Sequence, residues 1–182
     1  MRDLTDEALI LAVRRGEIRA FDELYRRYAD RLFGYLLRYV TDRAEAEDLL
    51  QEVFMAVLKD QALELRPGQV GGWFFTVAKN RALSRVRRRR TEEKHRPEPP
   101  APIETPEANA ERRELVARVE LAVEGLPQPQ AEALMLKVVG GLTYAQIASV
   151  QDVPEGTAKS RLHHAIRAVR AFFARDQEGE IS

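Results

Sequence analysis

Apolar side chains recur along this chain at intervals of three and four, the repeat of a helix, and no segment alternates convincingly as a strand would. Phe21, Leu24, Tyr25, Tyr28, Leu32, Leu36 and Tyr39 keep that spacing over one long segment. Asp42 stands where it can cap a second helix, with Glu45 at the capping-box position. That helix carries Leu49, Leu50, Val53, Phe54, Val57 and Leu58 on its apolar side. Arg66-Pro67-Gly68 breaks the pattern as a loop, and Gly71-Gly72 leads into a helix from about Trp73 to Arg90. Phe75, Ala78, Ala82 and Val86 form its apolar stripe, and Trp73 and Phe74 read with Phe75 as core.

Five prolines (Pro97, Pro99, Pro100, Pro102 and Pro106) then interrupt the pattern. Such a stretch favours extended backbone and acts as a semi-rigid spacer. It divides the 182 residues into an N-terminal domain over 1–92, a linker over 93–110, a C-terminal domain over 111–176 and a tail over 177–182. The prediction is an all-α fold of two small helical domains joined by a Pro-rich linker. In the second domain Pro129 sits at a tolerated first helical turn. Ala131, Leu134, Met135 and Val138 read as the buried stripe of that helix, and Gly140-Gly141 ends it. A short helix from Thr143 to about Val150 follows, then a tight turn, Gln151-Asp152-Val153, and a longer helix from about Pro154 to Phe172. Two helices joined in this way make a helix-turn-helix.

The absence of cysteine excludes disulfides, cysteine zinc sites and thiol catalysis. No apolar run approaches the roughly 18 residues of a membrane span, and the N-terminus carries no secretory pattern. The expectation is a cytoplasmic protein with no membrane contact of its own. Formal net charge is zero, yet the charge is segregated. Residues 79–90 hold seven basic residues and no acid; residues 156–175 hold five, again without an acid. Acids gather elsewhere, at Glu45, Glu47, Asp48 and Glu52. Basic faces suit phosphates, and an acidic face suits a different partner.

The last helix divides into two faces. Ala158, Leu162, Ala165, Ile166 and Val169 belong inward. Thr157, Ser160, Arg161 and His164 lie opposite, flanked by Lys159, His163 and Arg167. Short polar and basic groups near a helix N-terminus suit the major groove, where arginine and lysine reach guanine or phosphate.

At this point the residues resemble a family. Leu126-Pro127, Gly141-Leu142-Thr143-Tyr144, Ile147-Ala148, Val153-Pro154 and Gly156-Thr157-Ala158-Lys159-Ser160-Arg161 are similar to the C-terminal domain of bacterial RNA polymerase sigma factors, particularly the extracytoplasmic-function group. The resemblance implies that this helix reads the −35 promoter element through Thr157, Lys159, Ser160, Arg161, His163, His164 and Arg167. Asp152 departs from the family's usual turn glycine, but aspartate tolerates left-handed backbone. His164 stands where arginine is common.

The resemblance continues through FDELYRRYADRLFGYLLRYV, AEDLLQEVF and WFFTVAKNRALSRVRRRR. It implies that Asp48, Gln51, Glu52 and Phe54 bind the polymerase core at the clamp coiled coil of the beta-prime subunit. It implies −10 DNA binding by Asn80, Arg81, Ser84, Arg85, Arg87 and Arg88. Asparagine can read a base edge and arginines hold phosphates. The loop near 61–72 matches where the family holds an extruded base, and Ser84 replaces a frequent aspartate. The expected partners are core polymerase, promoter DNA and an anti-sigma factor. No metal, cofactor or catalytic residue is implied: His95 and His163-His164 resemble no metal or acid–base constellation. The rival is a conventional helix-turn-helix regulator, which would dimerise on palindromic half-sites.

Overall fold

The computed structural model describes residues 1, 3–40, 42–59, 67–93 and 110–179. Most of the expected linker, the first half of the expected base-capturing loop, and the last three residues lie outside them. Among the described residues the regular structure is eight helices and no strand. They are α1 (Asp6–Arg14), α2 (Ile18–Leu36), α3 (Arg43–Lys59), α4 (Val70–Glu93), α5 (Ala110–Glu124), α6 (Gln128–Val138), α7 (Tyr144–Gln151) and α8 (Glu155–Gly179). The chain forms two compact units, residues 1–99 with 139–142 and residues 100–138 with 143–182.

The first unit packs α2, α3 and α4 together with α1 against α2 and α3. The periodicity did not single out α1, which is short and flanked by charge. Its start is set by Thr5, whose Oγ1 accepts a hydrogen bond from the Ala8 amide, and by Asp6 and Glu7 at the positive end of the helix dipole. Leu9, Ile10, Ala12 and Val13 are buried. Asp42 caps α3, accepting from the Ala44 amide at 3.0 Å. The core is aromatic: Phe74 stacks on Tyr28 with ring centres 4.7 Å apart and meets Phe54 at 5.3 Å, while Phe75 meets Tyr35 edge-on. Phe74 and Phe75 are fully buried, and Trp73 lies half-buried, edge-on to Phe74. Full burial of such a side chain contributes about 1.5–3 kcal/mol.

One end of this core is fastened by charge. Glu23, buried on α2, accepts from Arg26 and Arg27, and Arg27 also donates to Asp6 of α1 at 2.8 Å. The Tyr28 hydroxyl donates to the same Asp6 carboxylate. The hydrogen bond from Arg26, then that from Arg27, holds the Glu23 carboxyl down at about 2. Burial, reinforced by Asp6, pushes the Tyr28 hydroxyl up.

In the second unit α8 packs against α5, α6 and α7. Leu126, Ala131 and Ala165 form a buried cluster, with Val123, Leu134 and Val169 against it. The stripe expected on α6 is rotated: Ala131, Ala133 and Leu136 are buried, whereas Val138 is 71 % exposed. On α8, Ala158, Leu162 and Ala165 are buried, but Ile166 is more than a third exposed. That helix also runs past the expected end, to Gly179.

Candidate polymerase and nucleic-acid interfaces

Three surfaces gather the residues that the sequence singled out. On α3, Asp48 and Gln51 are exposed and Glu52 is half-exposed, one turn apart on one face. Met55, 47 % exposed, continues the same face and was not anticipated. Its spacing from Asp48 and Gln51 was the available signal. Phe54 departs from expectation. It is 3 % exposed and sits among Phe21, Tyr25 and Phe74, so it backs this face rather than forming it. The burial follows from the rings of α2 and α4, which close over that side of α3.

On α4, Asn80, Arg81, Ser84, Arg87 and Arg88 are exposed, and Arg85 is partly buried. Arg85 turns toward α3. Its Nη2 lies 3.0 Å from Glu52 Oε1 and its Nη1 3.6 Å from Glu45 Oε1; Arg81 reaches Glu52 at 3.8 Å. Glu45, placed by the sequence at a capping-box position, therefore bridges two helices. Glu52 and Arg85, expected to serve different partners, hold each other. Nothing in the spacing could reveal a pairing between residues 33 positions apart.

The third surface belongs to the helix-turn-helix of α7 and α8. Thr143 caps α7 in a full capping box: its Oγ1 accepts from the Gln146 amide, and the Gln146 side chain accepts from the Thr143 amide at 2.9 Å. Asp152 ends the helix in left-handed backbone, φ 51° and ψ 54°, which makes the tight turn without glycine. The first turns of α8 then present Lys159, Ser160, His163, His164 and Arg167 to solvent, with Thr157 and Arg161 half-buried at the edge. The Arg167 Nη2 and His164 Nδ1 lie 3.4 Å apart. Tyr144, Gly156, Lys159, Ser160 and His163 line a shallow open groove, and Lys137 Nζ lies 5.4 Å above the Tyr144 ring. Tyr144 is a surface residue of this site that the chemistry of α8 alone did not point to.

Among the described residues no group of three or more histidines and acids could hold a metal ion, and no helix is long and apolar enough to cross a membrane.

Two family models match the chain, sigma-70 region 2 over residues 24–92 and sigma-70 region 4 over residues 117–169. The chain is 31 % identical over 176 residues to the RNA polymerase sigma-H factor of Pseudomonas aeruginosa, covering 90 % of this chain and 91 % of that protein. This chain belongs to the RNA polymerase sigma factors. It is also 31 % identical to the extracytoplasmic-function sigma factor RpoE of Cereibacter sphaeroides, covering 92 % of this chain and 95 % of that one. Its fold is similar to that of the sigma factor RpoE solved with the anti-sigma factor NepR from Bartonella quintana, with TM-score 0.64, 22 % identity, and coverage of 85 % and 96 % of the two chains. As an alternative sigma factor it joins RNA polymerase core and directs promoter recognition at transcription initiation. It is not an enzyme, and it is not a conventional regulator.

Proposed function

We propose that the two units divide the work of promoter recognition. Residues 1–92 bind polymerase core and −10 DNA, and residues 111–176 bind −35 DNA, with 93–110 as the spacer. Asp48, Gln51 and Glu52 on α3 face the beta-prime clamp coiled coil, where an acidic patch meets basic side chains. Asn80 and Ser84 on α4 approach bases, while Arg81, Arg85, Arg87 and Arg88 hold the −10 backbone. Thr157, Lys159, Ser160, Arg161, His163, His164 and Arg167 on α8 enter the −35 major groove. The observation that supports this reading is that two basic runs without an acid, residues 79–90 and 156–175, fall on separate helices, α4 and α8. The protein works in the cytoplasm, where the polymerase is, and an anti-sigma factor covers one of these faces when the sigma factor is held inactive.

The test is run-off transcription with purified core polymerase on genomic fragments from the source organism, with and without this protein. New starts that share two spaced upstream motifs support the reading. No starts, with tight polymerase-independent binding to a palindrome, would sink it.

A further inference from the structure

Among the described residues, tyrosines aside, two polar side chains are buried, Glu23 and Gln151. Glu23 belongs to the charged fastening of α1. Gln151 has no such role, and it ends the first helix of the helix-turn-helix at 8 % exposure. Its Nε2 donates to the Pro129 carbonyl oxygen at 2.8 Å and to Glu132 Oε2 at 3.0 Å; its Oε1 accepts from Arg161 Nη1 at 3.1 Å. One amide thus joins α6, α7 and α8. Its orientation is dictated by its neighbours, because two acceptors face the nitrogen and a cation faces the oxygen.

For Arg161 the consequence is directional. Its guanidinium is planar, with five N–H donors in a fixed fork. Gln151 engages it at one Nη, and its other donors meet no protein acceptor among the described residues. Arg161 follows Ser160 and Lys159 on the face that α8 presents. A guanidinium held at one nitrogen, with the rest of its fork unspent, is set to grip an acceptor that offers two oxygens or an oxygen and a nitrogen.

We propose that Gln151 is a positioning residue for DNA recognition: it touches no DNA, and it fixes the plane in which Arg161 grips a bidentate acceptor, a guanine edge or a backbone phosphate. Glu132 holds the Gln151 amide from the far side. The inference rests on α8 being the −35 reader.

The test uses holoenzyme assembled from core polymerase and the full chain, transcribing a promoter library with a randomised −35 region. Wild type, Gln151→Met, Gln151→Glu, Arg161→Ala and the Gln151→Met/Arg161→Ala double variant are compared. Gln151→Met conserves volume and removes the hydrogen bonds; Gln151→Glu turns an oxygen toward Pro129 and Glu132. If Arg161 reads guanine, Gln151→Met and Arg161→Ala lose preference at the same single position, by about tenfold. If it grips phosphate, both weaken transcription evenly over all −35 sequences. In either case the double variant adds nothing to Arg161→Ala alone. Glu132→Gln, on a half-exposed side chain, gives a smaller loss of the same kind and serves where a Gln151 variant fails to fold. A wild-type −35 preference that survives in a folded Gln151→Met or Glu132→Gln, or additive losses in the double variant, would overturn the inference and leave the sigma reading standing. No start from wild-type holoenzyme on any library member would overturn both.

Discussion

Asp152 and Glu23 each do something that their residue type does reluctantly. Asp152 sits at φ 51° without the freedom of glycine. Left-handed backbone costs an ordinary side chain roughly 1–2 kcal/mol. Asp152→Val should therefore destabilise the second unit by about that much, while Asp152→Gly leaves its stability unchanged or raised; chemical denaturation measures both. Glu23 is a buried carboxylate whose partners are Arg26 and Arg27. Its carboxyl titrates at about 2 when folded, against 4.5 as an ordinary group, so the unfolded chain binds the proton more readily. The stabilisation is fully present above 4.5 and fades as pH falls toward 2. Glu23→Gln should melt below the wild type at neutral pH, and the gap should close across that acid window.

At the scale of elements, helices and their caps were legible because they depend on neighbours in sequence. Asp42 does cap α3, Asp152 does make the turn, and Phe74 and Phe75 do lie in the core. What escaped depends on partners remote in sequence. Phe54 belongs to the apolar side of α3 by its spacing and to the polymerase interface by the family resemblance; rings from α2 and α4 cover it, which agrees with the spacing. Gln151 was read as a turn residue, although it ends α7 facing inward. Phe74 packs on Tyr28, Phe54 and Trp73. Its truncation to alanine should cost about 3–5 kcal/mol, enough to unfold the first unit in a thermal melt. The α3–α4 bridge predicts an opposite pair of effects. On the proposed reading Glu52→Gln should weaken binding to core polymerase, but it frees Arg81 of its ion pair and leaves Arg85 with Glu45 alone. The free chain should then bind a single-stranded −10 oligonucleotide more tightly, by a few-fold, since exposed pairs are worth about 0–1 kcal/mol. Fluorescence anisotropy at low salt reads this directly.

For the whole molecule, zero net charge is a condition on when it binds DNA. With 29 basic and 29 acidic residues, the chain has little long-range attraction for a polyanion. The isolated protein should bind promoter DNA weakly at physiological salt, with affinity rising as salt is lowered, whereas holoenzyme binds the same fragment tightly. A filter-binding salt series on both forms checks this. The Arg85–Glu52 bridge adds a second consequence, which is one of reciprocity. On the proposed reading, a polymerase cation at Glu52 competes with Arg85 and Arg81 for the charge of one carboxylate, even though both its oxygens can accept. If polymerase draws on Glu52 as proposed, the cost of delivering Arg85 to DNA falls, with Glu45 left as its remaining partner. Linkage then requires DNA held by Arg85 to tighten the grip on polymerase by the same factor. The two partners would recruit each other through one small cluster of shared ion pairs between α3 and α4.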